Sequence, residues 1–281
     1  MPLSRREFLG ASLAVVGTGG ILSSALAAEG YGNFTVGVQS YCFREFDLEQ
    51  ALKRTKELGL NWIEFYQKHA PPNSSPEQIA AIKKLCGEYG IKPVAFGVQS
   101  FSKNHDANKR MYDFGKALGV RYFSADPDPD SFDSLDKLVE EYGIGIAIHP
   151  HGPVGKGLHR WYSAEAIMAA VKDHHPQIGA CLDTGHLIRS AQLGKKLDPA
   201  EQIRVMGKRN FGMHLKDHDN ERKTDVVYGK GVLNVAEVLK ALKEVGFKGW
   251  ISVEYEANPQ NPNPDMAACL AVLRQAIKDV G

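Results

Sequence analysis

Short apolar runs alternating with amphipathic stretches, at a repeat of roughly 30 residues, constrain this chain most; that is the length of one strand–helix unit with its crossover. Eight candidate strands follow one another: Phe34–Gln39, Trp62–Tyr66, Lys92–Val98, Val120–Ala125, Ile144–His149, Gly179–Asp183, Gly212–Leu215 and Trp250–Glu254. Most are rich in Val, Ile and aromatics and lack clean alternation, as strands buried on both faces of a parallel sheet do. Between them, FDLEQALKRTKELG, SPEQIAAIKKLCGEYG and LNVAEVLKALKEVG carry apolar residues at three- and four-residue spacing. Asp47, Ser75 and Asn234 are placed to cap these helices at their start, and Gly59, Gly90 and Gly246 to end them. A doubly wound open sheet would carry a phosphate-binding GxGxxG after its first strand, where this chain reads VQSYCFREF. The expectation is a single (β/α)8 TIM barrel over residues 28–281, of the α/β class.

The first 27 residues read differently. SRREFLG precedes the apolar ASLAVVGTGGILSSALAA, which closes on the small residues of an AxA-like cleavage site. Arg5-Arg6 followed by Phe8-Leu9 resembles a twin-arginine export signal. The run holds several Gly and Ser residues, too weak for stable membrane insertion. Residues 1–27 are expected to be a cleaved signal peptide handed to the twin-arginine export machinery, giving a periplasmic or otherwise exported protein. Lys and Arg total 34 against 33 Asp and Glu, so no basic surface argues for nucleic acid. Four scattered cysteines without a CxxC pair argue against a zinc ribbon or a disulfide framework.

A barrel of this kind builds its active site at the carboxyl ends of the strands. Here those ends carry Glu64 with His69 beyond it, His149 and His151, Asp183 and His186, His214, Lys216 and His218, and Glu254 and Glu256. With His159, seven of the ten histidines fall in or near them. Imidazoles and carboxylates converging at strand ends suit one divalent cation: Mn, Co, Zn or Fe.

LDTGH, HLKD, GKGVLNVAEVLKALKEVGFKGWISVEYE and the opening VGVQSYCFR resemble the xylose isomerase-like superfamily, which includes sugar phosphate isomerases and epimerases and family-2 endonucleases. The resemblance implies a metal held at strands five to eight by Glu, Asp, His and Glu. On this sequence Asp183, His214 and Glu254 match, while strand five departs and offers His149. In the epimerases the strand-five and strand-eight carboxylates are also the proton-transfer pair, so the departure puts the two-carboxylate mechanism in doubt.

The expected chemistry is proton removal next to a carbonyl of a carbohydrate, with Glu254, Lys216 and His151 as catalytic groups, and Lys216 an acid if burial lowers its pKa. A surface lysine paired with Asp217 is the alternative for Lys216. Glu64, His69, His186, Glu256 and Trp161 are the candidate substrate contacts, with Trp62, Tyr66 and Phe101 as further stacking surfaces. Reprotonation gives isomerisation or epimerisation; loss of a group β to the carbonyl gives elimination, as in members that cleave 3-keto-glycosides. An abasic-site endonuclease and a non-catalytic sugar-binding protein are the rivals. Association into a homo-oligomer is left open.

Overall fold

The computed structural model describes residues 30–281, so the expected signal peptide lies outside the described residues. Eight parallel strands close into a barrel: β1 (Thr35–Gln39), β2 (Trp62–Phe65), β3 (Lys92–Phe101), β4 (Tyr122–Pro127), β5 (Gly145–Ile148), β6 (Ile178–Asp183), β7 (Asn210–Leu215) and β8 (Trp250–Val253). Each strand pairs with the next in sequence, and β8 seals the ring against β1 through Thr35↔Trp250 to Val38↔Val253. All eight expected strands are present, with ends shifted by a few residues.

The helices are α1 (Leu48–Glu57), α2 (Pro76–Tyr89), α3 (His105–Leu118), α4 (Phe132–Tyr142), α5 (Ala164–Val171), α6 (Thr184–Arg189), α7 (Pro199–Met206), α8 (Val235–Glu244) and α9 (Asn263–Asp279). Asp47 and Ser75 form capping boxes with Gln50 and Gln78, and Asn234 accepts from the Glu237 amide. Gly59, Gly90 and Gly246 take left-handed backbone where those helices stop. Among the described residues no helix is long and apolar enough to cross a membrane.

One large apolar cluster fills the space between strands and helices. A second, smaller one plugs the barrel at the amino-terminal ends of its strands. There Tyr122 stacks on Trp250 and Phe211, at ring separations of 5.5 and 5.1 Å. Gly212 makes room for this plug: a β-carbon there would lie 2.5 Å from the Trp250 ring. The next level up is polar, with Glu64, Ser124, Ser252 and His214 all buried. The aromatic plug closes the lower end, so chemistry is confined to the carboxyl-end mouth.

Two features at that mouth were not expected. β3 runs on to Phe101: after a register shift between Phe96 and Gln99 it pairs again, Gln99 through Phe101 against Ala125 through Pro127. Small antiparallel ribbons follow β5 (Pro153–Val154 with Gly157–Leu158) and β7 (Asp217–Asp219 with Thr224–Val226).

Candidate metal centre

Four strands deliver one side chain each to the mouth. His149 follows the last residue of β5, and its amide donates to Ala125 O at 2.7 Å. Asp183 ends β6 and caps α6, its Oδ1 accepting from the His186 amide at 2.7 Å. His214 lies near the end of β7, and Glu254 follows β8, its amide donating to Leu215 O. One nitrogen or oxygen from each of the four lies within 4.8 Å of the others, and all four residues are buried. His149 Nε2 is 3.0 Å from His214 Nδ1 and 3.5 Å from Asp183 Oδ2, and His214 Nδ1 is 2.8 Å from Glu254 Oε2.

This cluster fits a divalent cation. Asp183 Oδ2 and Glu254 Oε2 are buried without a hydrogen-bond partner. Two desolvated carboxylate oxygens facing imidazole nitrogens want a positive charge between them. Two nitrogens and two oxygens are a donor set for Mn, Fe, Co or Zn.

Glu64 does not reach the cleft, contrary to the expected substrate contact. Its position on β2 points it into the polar level beneath the cluster, where it is fully buried. Its Oε2 receives His214 Nε2–H at 2.8 Å, Trp250 Nε1–H at 2.8 Å and Ser252 O–H at 2.7 Å, and its Oε1 receives the Ser124 hydroxyl. Burial alone would raise the Glu64 pKa, but His214 and the hydroxyls bring it down to about 2. The carboxylate therefore fixes the His214 ring with Nδ1 turned to the cluster, the usual support of a ligating imidazole.

Lys216 is buried against the cluster, 3.4 Å from Asp183 Oδ2, 3.4 Å from Glu254 Oε2 and 2.6 Å from Glu256 Oε1. Gly185 of LDTGH lets its stem pass, since a β-carbon there would lie 2.6 Å from Lys216 Cδ. Burial pulls its pKa down, but the three carboxylates outweigh that and hold it well above the usual value. The condition attached to its role as an acid, a pKa lowered by burial, is therefore not met. Nor does Lys216 pair with Asp217, whose carboxylate accepts the amides of Gly229, Gly231, Val232 and Leu233 and so holds the loop before α8.

Above the cluster opens a cleft of about 460 Å³. His149, His151, His186, His214, Glu254 and Glu256 line it, with Gln39, Tyr41, Tyr66 and Gln99 on its walls. Glu254 thus belongs to the cluster, and Glu256 lies past the end of β8 at the cleft wall, tied to Lys216. His151 sits 4.9 Å from the His149 ring and 5.1 Å from the His186 ring. Burial first, then the neighbouring imidazoles, lowers the His151 pKa to about 3; burial, with the Lys216 charge and then the imidazoles, holds that of His186 well below its usual value. Both are neutral imidazoles near pH 7. His186 Nδ1 already accepts from the Gly152 amide at 3.0 Å.

Two other expected contacts are structural. Trp161 is buried, its indole N–H bonded to Pro127 O at 3.0 Å and its ring set edge-on to Phe132. His69 lies under Tyr66, ring to ring at 4.9 Å, with Nε2 at 3.1 Å from Phe46 O. Burial lowers the His69 pKa to about 4. The folded protein keeps it neutral below pH 6.5 while the unfolded chain takes up a proton, so stability is full above 6.5 and falls as pH drops toward 4. Between pH 7.5 and 5 this contributes about 2 kcal/mol. Urea denaturation of His69→Gln at both pH values should show that increment of acid sensitivity gone; an unchanged pH slope would refute it.

Of the stacking candidates, Tyr66 lines the cleft, edge-on to Tyr41 at 5.3 Å. Trp62 sits at the lower end beside Lys92 and Arg121, and Phe101 is buried. Gln39, Tyr41 and Gln99 were not foreseen, although Gln39 and Tyr41 stand at the end of β1 and the strand-end rule reaches them.

Residues 52–276 match the family model described as "Xylose isomerase-like TIM barrel". An inosose dehydratase of Geobacillus thermodenitrificans is 25% identical over 254 residues, covering 83% of this chain and 80% of that protein. An inosose isomerase of Bacillus velezensis is 24% identical over 250 residues, 76% of this chain and 87% of the other. The crystal structure of an uncharacterized protein from Parabacteroides distasonis superposes with a TM-score of 0.67 at 27% identity, covering 86% of this chain and 99% of that one. With the match spanning most of its length and eight strands closing as they do, the chain belongs to the xylose isomerase-like TIM barrel family.

Proposed function

We propose that this enzyme is a divalent-metal-dependent sugar isomerase or epimerase that removes a proton next to a carbonyl. The observation that carries the reading is the convergence of His149, Asp183, His214 and Glu254 within 4.8 Å at the floor of an open cleft. Relatives named inosose dehydratase and inosose isomerase support a carbohydrate as substrate.

The four residues would hold the cation, which when bound supplies positive charge to stabilise the developing enediolate. Glu254 is the base. Lys216, 3.4 Å away and held protonated by the surrounding carboxylates, acts as a fixed positive charge beside it rather than as an acid. Neutral His151 and His186 at the cleft wall hydrogen-bond substrate oxygens, His186 through its Nε2–H because the Gly152 amide occupies its Nδ1. Glu256 and the Tyr41–Tyr66 pair complete the substrate walls.

A specific departure favours a second reading, elimination of a group β to the carbonyl. His149 stands where the resemblance implies a carboxylate, leaving Asp183 and Glu254 as the cluster's only carboxylates. Two-faced proton transfer wants one more, whereas elimination needs one base and one proton donor for the leaving oxygen.

Incubating manganese-loaded protein in D2O with ketoses and 3-keto-glycosides tests both. Deuterium should enter at the carbon beside the carbonyl, and chromatography of the products separates epimerisation from elimination. Exhaustive chelation should reduce turnover by about 10³-fold or more. Absence of exchange on both substrate classes would sink the reading. With residues 1–27 read as an export signal, the working enzyme is further proposed to lie outside the cytoplasm; fractionation of cells expressing the full chain checks this.

A further inference from the structure

Beyond Glu256 lies a set of polar groups that the cation centre does not use. The end of α6, the turn after it and the ribbon that follows β7 enclose a recess of about 300 Å³. Arg189, Gln192, His218, Lys223 and Thr224 line it, together with Asp225, Glu256 and Ala257. Of these only Glu256 also lines the cleft. Asn220 ties the two walls together, accepting from Gln192 Nε2–H at 3.0 Å and donating to Ile188 O at 3.1 Å. The recess is therefore formed before any ligand arrives.

Its donors are unspent. Arg189 is half-buried, and its Nε–H is buried with no hydrogen-bond partner. Neither Arg189 nor Lys223 has a carboxylate partner among the described residues, because the acids nearby are engaged: Asp219 with Arg222, Asp225 with His218, and Glu256 with Lys216. His218 is 4% exposed; its Nδ1–H donates to Asp225 Oδ1 at 3.0 Å, and its Nε2 is buried with no partner. Asp225 Oδ2 accepts the Glu256 amide at 3.0 Å, so that carboxylate fixes the imidazole and is not left to meet a ligand. A buried guanidinium N–H without an acceptor is costly, and an oxyanion satisfies it. With Nδ1 given to Asp225, the imidazole turns Nε2 to the recess, where its lone pair takes a hydrogen bond from the ligand. An oxyanion that also carries a hydroxyl meets both demands. A phosphate group does so, because its second pKa of about 6 leaves part of its population singly protonated at mildly acid pH. Sulfate has no such proton.

We propose that this recess is a phosphate-binding site separate from the cation centre. Arg189 and Lys223 hold the charged oxygens, and His218 Nε2 receives the hydrogen bond of the P–O–H group.

Titration calorimetry of metal-loaded protein at pH about 6.5 and low salt, with inorganic phosphate, methyl phosphate and sulfate, tests it. Phosphate, free or as the ester, should bind with a Kd of about 1 mM or below, and sulfate about threefold or more weakly. Binding of methyl phosphate as tight as that of the inorganic ion identifies a phosphate ester as the ligand, and its exclusion identifies free phosphate. Arg189→Gln should weaken phosphate about tenfold or more, yet melt no lower than the parent, since it removes an unsatisfied donor. Lys223→Asn should weaken it about threefold and keeps the test open should the first variant not fold. Asparagine is chosen because it tolerates the left-handed backbone at that position, φ 53°. No binding below about 10 mM, equal affinity for sulfate, or an affinity that both variants retain (phosphate seated on the cation instead) would overturn the proposal.

Discussion

Replacing Glu254 by Gln is expected to lower kcat by about 10²- to 10⁴-fold, the range lost with a general base, and to weaken cation binding as well. The substitution keeps shape and removes charge. Glu254 Oε2 lies 2.8 Å from His214 Nδ1 and 3.4 Å from Lys216 Nζ, so the carboxylate faces the cluster and the lysine together. Glutamine neither accepts the substrate proton nor balances Lys216, which would then lean on Asp183 and Glu256. Turnover and metal content must be measured together. Full metal content with turnover gone identifies the base; loss of both identifies a ligand; a variant that keeps both would contradict the role given to Glu254.

The largest effect on stability is expected from Glu64→Ala. That change strips the acceptor from four buried donors at once: His214 Nε2–H, Trp250 Nε1–H and the hydroxyls of Ser252 and Ser124. Each buried donor left without a partner costs about 1–3 kcal/mol, so a loss of about 5 kcal/mol or more is expected. In a protein of this size it would lower the melting temperature by about 10–20 °C. The milder Glu64→Gln keeps the volume and one carbonyl acceptor, and should fold. Having lost the charge that orients His214, it should bind the cation 10- to 100-fold more weakly. A Glu64→Ala protein melting within a few degrees of the parent, or unaltered cation affinity in Glu64→Gln, would show that Glu64 does not support the site in this way.

The barrel was readable because parallel strands buried on both faces leave dense apolar runs, and because Asp47, Ser75 and Asn234 mark where helices begin. The cluster was readable for a related reason: once strand ends are known, His149, Asp183, His214 and Glu254 stand at the ends of four neighbouring strands. Depth was not readable. Glu64 and His214 both sit near strand ends, yet Glu64 points into the interior beneath the other, because side-chain direction depends on barrel tilt and stagger that linear order does not carry. His69 and Trp161 misled for the same reason, being polar or aromatic residues near the mouth that turn inward to backbone carbonyls. The extension of β3 needed knowledge of a register shift, which local pattern does not encode.

The four cluster residues are spread over 106 positions of chain, from 149 to 254, and come from four consecutive staves of the barrel. The last of them hangs from β8, which is paired with β7 on one side and with β1, from the far end of the polypeptide, on the other. A cation held by these residues would clasp that half of the barrel: its donors converge only once the four staves are paired, and its binding would resist their springing apart. Uptake of the ion would therefore report on the assembly of that half of the ring, and any lesion that keeps β5 to β8 from pairing should appear as a demetallated protein, even when every donor atom is intact.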